Sequence, residues 1–247
     1  MIAALLFALV QPAGTMLPSD IFSQAQKAWQ ARVVPPYVSF QIDCRHTFLA
    51  SSCPANTDVR FVVRTKDGSS FAQMVSATAG AAQILMRGGH ITGPLSTPLG
   101  FYRAEGDADF SGAPNLVPDP LPVIANVTSG AHVYDVTLAG EETVGGFLTY
   151  HLVLHPETAP DRYPLRDLWV AESTFEIVQL TYDRPYDDLH TRALIWYRFA
   201  PVGPQGIWTI VHIEARANVG DQSVADDLSD IAFPEDAPSW YFEADEP

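Results

Sequence analysis

The sequence predicts an α+β domain built on an antiparallel sheet, and three observations predict it. Apolar residues recur at helical spacing near the N-terminus, at Ile21, Phe22, Ala25, Ala28 and Trp29. The second half is a run of alternating segments joined by turns of a few residues, which favours an antiparallel meander. Between them, Gly88 to Pro122 is dense in Gly and Pro and too long for an ordinary connection.

The helix occupies "LPSDIFSQAQKAWQAR", with Pro18 and Ser19 where an N-cap belongs, and Pro35-Pro36 stops it. "YVSFQIDC" follows as a strand, with Val38, Phe40 and Ile42 on one face and Ser39, Gln41 and Asp43 on the other. "DVRFVVRTKDGSSFAQMV" reads as a hairpin, because Asp67-Gly68 supplies the positive φ values of a tight turn. Residues 88–122 read as an irregular flap: Ile91, Leu95, Leu99, Phe101, Tyr102, Phe110 and Leu116 make it too apolar for a free linker. "LPVIANV" reads as a short helical turn. Six strands are then expected, in "HVYDVTLAGEE", "GGFLTYHLVLHP", "RDLWV", "EIVQLTYD", "TRALIWYRF" and "GIWTIVHIEARAN". Residues 220–247 read as an acidic, irregular tail docked through Ile231, Phe233, Trp240 and Phe242.

Size and charge bound the function. The chain has 247 residues, 47% of them hydrophobic, which suffices for one domain with a substantial core. Its 14 Lys and Arg against 29 Asp and Glu give a net charge of −15, a field that repels nucleic acid and anionic membrane surfaces. Ile2 to Val10 is an unbroken apolar run, too short to span a bilayer and of the length of a secretory signal core. As a signal peptide, residues 1–15 are atypical: no Lys or Arg precedes the run and no small-x-small cleavage site follows it. The alternative is a hydrophobic helix packed in the core. One domain then covers residues 16–247.

Export would place Cys44 and Cys53, the two cysteines, in an oxidising compartment where they could close a short loop. Two buried free thiols, or half of a metal site with His46, are the alternatives; two Cys and one His do not complete a tetrahedral zinc site.

The chain offers no recognisable catalytic constellation. It has no G-x-S-x-G elbow, no phosphate-binding Gly loop and no H-E-x-x-H. His151 and His155, four apart on a strand, stand roughly 13 Å from each other and cannot share one ion, so they read as solvent-facing. His212 beside Glu214 could form a dyad or a surface hydrogen bond. Asp183 to Asp188 lacks the calcium-loop signature and reads as a solvated turn, as does Gly140 to Glu142. No enzyme activity, metal or cofactor is expected.

Several strands carry large side chains on both parities, notably at Trp196, Trp208 and Ile210, whereas a sheet with one wet face alternates cleanly. The second face is therefore expected to be covered, either by an apolar ligand in a cavity or by the protein's own packing.

"VTLAGEETVGGFLTYHLVLHP" leading into "LRDLWVAESTFEIVQLTYD" resembles the LolA/LolB-type periplasmic lipoprotein carriers, with their RseB-type and mycobacterial lipid-binding lipoprotein relatives. The resemblance rests on the spacing Gly140 to Gly145, an apolar strand closing at Pro156, and a hairpin strand ending in Leu168-Trp169-Val170; it covers Asp135 to Arg216. It implies a half-barrel, a strongly twisted antiparallel sheet whose concave face is lidded by the N-terminal helix and the flap. It also implies an exported carrier or sensor that holds a lipid, an acyl chain or a lipidated protein, and it compares the strand of Arg60 and Arg64 with the carriers' gating-arginine strand. The Cys44/Cys53 pair and the long Gly/Pro segment depart from that family. Candidate cavity residues are Trp29, Phe40, Tyr150, Trp169, Trp196 and Trp208. A monomer is expected, and a cell-envelope interaction module without a lipid ligand is the alternative function, ahead of a hydrolase using His212 and Glu214.

If Cys44 and Cys53 are bridged, alkylating the unfolded, unreduced chain adds no mass, and reduction lowers stability by about 2–3 kcal/mol. Two thiols alkylated without reductant would show that the bridge is absent.

Overall fold

The computed structural model describes residues 16–46, 57–66, 70–75, 83–87, 90–97, 100–107, 133–157, 163–185, 192–217 and 223–242. One α-helix is found among them, α1 (Pro18–Ala31), and no helix there is long and apolar enough to cross a membrane. Proline at its first position needs no N–H partner, and Leu17 rather than Ser19 occupies the N-cap. Ile21, Phe22, Ala25 and Trp29 form its buried stripe.

Two seven-stranded antiparallel sheets follow. The first half of the chain supplies β1 (Tyr37–Asp43), β2 (Asp58–Arg64), β3 (Ser70–Val75), β4 (Gln83–Arg87), β5 (His90–Thr97) and β6 (Gly100–Asp107). The second half supplies β7 (Tyr134–Val144), β8 (Phe147–Pro156), β9 (Leu165–Ala171), β10 (Ile177–Pro185), β11 (Arg192–Val202), β12 (Ile207–Ala217), β13 (Ser223–Asp227) and β14 (Ser229–Ala232). Sheet A runs β14-β1-β2-β3-β4-β5-β6 and sheet B runs β13-β12-β11-β10-β9-β8-β7, neither closing on itself. The fold is thus the expected α+β half-barrel, with a single buried residue, Leu228, carrying the chain from one sheet to the other. The Leu228 N–H bonds the carbonyl of Val211, pinning this crossing to β12.

Two expected irregular regions are sheet. Within the segment read as a flap, β5 and β6 pair over their full lengths and extend sheet A. Proline in a strand argued against that reading, but Pro94 lies beyond the three residues of β5 that pair with β4, where one partner is present and a missing N–H is tolerated. The acidic tail likewise contributes β13 to one sheet and β14 to the other, with only residues after Ala232 irregular apart from a 3-10 turn at Ser239–Tyr241. The Asp67-Gly68 turn and the "LPVIANV" turn lie outside the described residues, although β2 and β3 pair antiparallel as a hairpin requires. The hairpin of β7 and β8 closes through Gly145 and Gly146 at φ of 58° and 88°, a two-residue turn whose twist matches its strands.

One core joins both sheets and the helix. Phe40 stacks on Phe61 at 5.3 Å, and Trp29 meets Phe199 edge-on at 5.5 Å. Trp29 is 4% exposed. Trp29→Ala is expected to cost about 3–5 kcal/mol, read from urea unfolding midpoints at constant slope. Trp196→Ala, outside this core, is expected to cost about 1 kcal/mol or less.

Candidate ligand-binding face

Register assigns each strand residue to a face, because paired residues point the same way. On sheet B, Leu138, Leu152, Leu168, Leu180, Tyr197 and Ile213 pair in a row and belong to the core face. On sheet A the corresponding row runs through Phe40, Phe61, Ala72 and Ile84. Extending that register, the same row of ladder positions continues through Ile84, Met86, Ile91, Leu95, Tyr102 and Ala104, with Gly93 and Gly106 among them. The row of apolar register positions on sheet A thus continues three strands beyond β3.

The helix lies against β7 and β8, and Trp29 reaches β11. Fourteen residues at 1.5 Å rise make α1 about 21 Å long, the width of four or five strands even if it lay squarely across them. The two sheets hold fourteen strands. The helix packs on part of sheet B, through β7, β8 and β11.

The six aromatic residues singled out in the sequence separate into three groups. Trp29 and Phe40 belong to the protein's own packing. Tyr150 and Trp208 lie partly exposed at the core's margin, Trp208 donating its indole N–H to the Ile177 carbonyl at 2.6 Å. Trp169 and Trp196 sit on the outer face: Trp169 stacks on His151 at 4.2 Å and donates to Glu142 at 2.6 Å, while Arg216 lies over Trp196. The two-sidedness of the strands has a plain cause. A β-bulge after Arg198 lets Ile210 pair with Phe199 and Ile213 with Tyr197, so residues an odd number apart share one face; a second bulge does the same between Ile177 and Leu180.

The polar candidates form surface pairs. His151 sits between Asp167, at 3.0 Å from Nε2, and Glu142, at 3.3 Å from Nδ1; His155 is exposed. His212 contacts Asp227 at 2.7 Å rather than Glu214, whose partner is Arg216. Asp183 pairs with Arg166, and the rest of that acidic turn, after Pro185, lies outside the described residues. No group of three potential ligands for a metal ion occurs among the described residues. Cys44 is fully buried and no free cysteine is found there; Cys53 lies outside them. Arg60 and Arg64, on the strand that the resemblance compares with the carriers' gating-arginine strand, project from the outer face of β2, opposite to Phe61 and Val63. Arg64 lies over Phe242.

One charged pair at the helix end was not legible in the sequence. Arg32, just past α1, lies 3.5 Å over the Trp29 ring, and burial lowers its pKa to about 10 against the opposing pull of Glu176. Glu176 follows Phe175, which holds a φ of 59° at the β9–β10 turn. Burial raises the Glu176 carboxyl above its usual value of 4.5, the Arg32 charge opposes this, and one carboxylate oxygen is buried without a hydrogen bond.

No family model and no curated protein matches the chain. Similar solved structures include a DUF1329 family protein from Desulfovibrio piger, with 16% identity, a TM-score of 0.48, and coverage of 92% of this chain and 98% of that one. A LolA superfamily protein from Nitrosomonas europaea has 17% identity and a TM-score of 0.41, covering 94% and 99%. The lipoprotein LppX from Mycobacterium tuberculosis has 10% identity and a TM-score of 0.32, covering 87% and 95%. The Nitrosomonas europaea protein carries the name of the superfamily that the sequence resembles.

Because the folded Glu176 holds its proton to higher pH than the unfolded chain, it stabilises the fold at low pH, and that contribution is lost as pH rises from about 4.5 through the raised value. Wild-type stability relative to Glu176→Gln should therefore fall between pH 4 and 7, measured as urea midpoints across that range; a difference that rises with pH would contradict the burial of this carboxyl.

Proposed function

We propose that the protein is an exported, non-enzymatic carrier or sensor that shelters a lipid, an acyl chain or a lipidated protein against the concave face of sheet A. One observation carries the reading: the row of apolar register positions continues over β4, β5 and β6, whereas the described contacts of α1 fall on sheet B. Glycine at positions 93 and 106 adds no side-chain volume to that face, which suits a guest. An acyl chain suits it best. Each buried CH₂ contributes about 0.8 kcal/mol, so ten methylenes yield roughly 8 kcal/mol before the cost of association, with no polar chemistry required. The acidic field, which repels nucleic acid, leaves an uncharged hydrocarbon unaffected. Passage of residues 1–15 through an export channel and closure of Cys44 with Cys53 in an oxidising compartment complete the proposal, with the remaining chain acting as one monomeric domain.

The wild-type protein is expected to take up a fluorescent fatty acid and to retain lipid in native mass spectrometry after gentle extraction. Leu95→Asp, on the concave face, should weaken uptake at least tenfold, while Trp196→Ala, on the outer face, should leave it unchanged. Absence of uptake by the wild type, or equal uptake by Leu95→Asp with an unchanged melting curve, would remove the carrier reading and leave a protein-interaction module of the cell envelope.

A further inference from the structure

Sheet A has a second site on its other side, independent of the concave face. The segment from Pro234 to Tyr241 runs back over the outer face of β2 and β3, anchored where Tyr241 stacks flat on Phe71, ring centroids 4.0 Å apart and planes within 7°. Next along, Phe242 is fully buried, stacked on Tyr37. Between this strap and the sheet lies a cavity of about 160 Å³. Its apolar wall is Val62, Phe71 and Tyr241, with Pro234 and Pro238 stiffening the strap. Its polar wall is Arg60 and Gln73 from the sheet, faced by Asp236 from the strap.

The side chains of Arg60, Gln73 and Asp236 make no hydrogen bond or ion pair among the described residues. A cation and an anion thus border one small cavity without closing on each other. The arrangement selects by charge. A simple anion would meet Asp236 and the protein's net charge of −15; a simple cation would meet Arg60. A zwitterion satisfies both groups and, being neutral overall, is not repelled by the acidic field. The volume lies well below the ~300 Å³ at which pockets for drug-sized ligands begin, which excludes nucleotides and sugars of any length.

We propose that this cavity binds a free α-amino acid with an apolar side chain, its carboxylate on Arg60 and Gln73, its ammonium on Asp236, and its side chain against Phe71 and Tyr241. A peptide end presents only one of the two charges and does not fit. Guanidinium–carboxylate recognition is charge-assisted, and its loss is read as a change in affinity of at least about tenfold.

Calorimetric titration of the full chain with L-leucine tests this, alongside leucinamide, which lacks the carboxylate, and N-acetyl-leucine, which lacks the ammonium. Leucine is expected to bind at least tenfold more tightly than either blocked form. Arg60→Gln should weaken leucine to the level of leucinamide, and Asp236→Asn should weaken it to the level of N-acetyl-leucine. Both groups are solvent-exposed, so both variants should fold, and both should keep wild-type uptake of the fluorescent fatty acid. No heat with millimolar leucine, equal binding of the blocked forms, or variants that bind leucine as the wild type does would each overturn the proposal, whatever the outcome at the concave face.

Discussion

Among the described residues one fourteen-residue helix packs against two sheets of seven strands each, and this disproportion governs the fold. Ile21, Phe22, Ala25 and Trp29 commit the helix to one region, where Trp29 meets Phe199 and the core is continuous. The described contacts of α1 fall on β7, β8 and β11, all strands of sheet B. The row of apolar register positions continues over β4 to β6 of sheet A. Hydrophobic surface of that extent is seldom left to water in a soluble domain, so its covering is a functional question rather than a packing detail.

The two faces of the sheets are specialised accordingly. Inward positions are apolar on β1 to β3 and across sheet B, while the outward face of sheet B is a lattice of charged and aromatic partners: His151 between Glu142 and Asp167, Arg198 and His212 on Asp227, Arg216 on Glu214 and Trp196. Such exposed pairs contribute little stability individually. Their effect is to let large side chains such as Trp169 stand outside the core without forming an adhesive patch. Where the sheets meet, Asp58 is raised by burial and by the neighbouring Asp43, Asp226 and Asp230, a concentration of negative charge at the corner that the net charge alone does not reveal.

Local signals were legible in the sequence and long-range ones were not. The helical spacing of Ile21 to Trp29, the alternation of Val38, Phe40 and Ile42, and the order of strands from Tyr134 to Ala217 all follow from period and turn chemistry. Residues 90–107 misled because Gly and Pro are strand-weakening on average, and only the register shows that Pro94 has an open side. The tail misled because β14 finds its partner, β1, nearly two hundred residues away. Bulges misled most. A strand that gains one residue reverses its parity, so Trp208 and Ile210 looked two-sided together with Val211 and Ile213 when the core face had simply shifted by one. Trp169 and Trp196 lie outward by plain alternation, beside the core residues Leu168, Val170 and Tyr197.

The crossing at Leu228 has a bearing on how the chain comes into being. Each sheet receives its outermost strand from residues past 223, so both stay unfinished at one edge while everything before them is already made. A nascent chain in that condition lacks two ladders and the crossing that ties its halves together, which favours an open, threadable ensemble over premature compaction. Under the proposed export, delaying the last stitch to the end is a kinetic advantage written into topology.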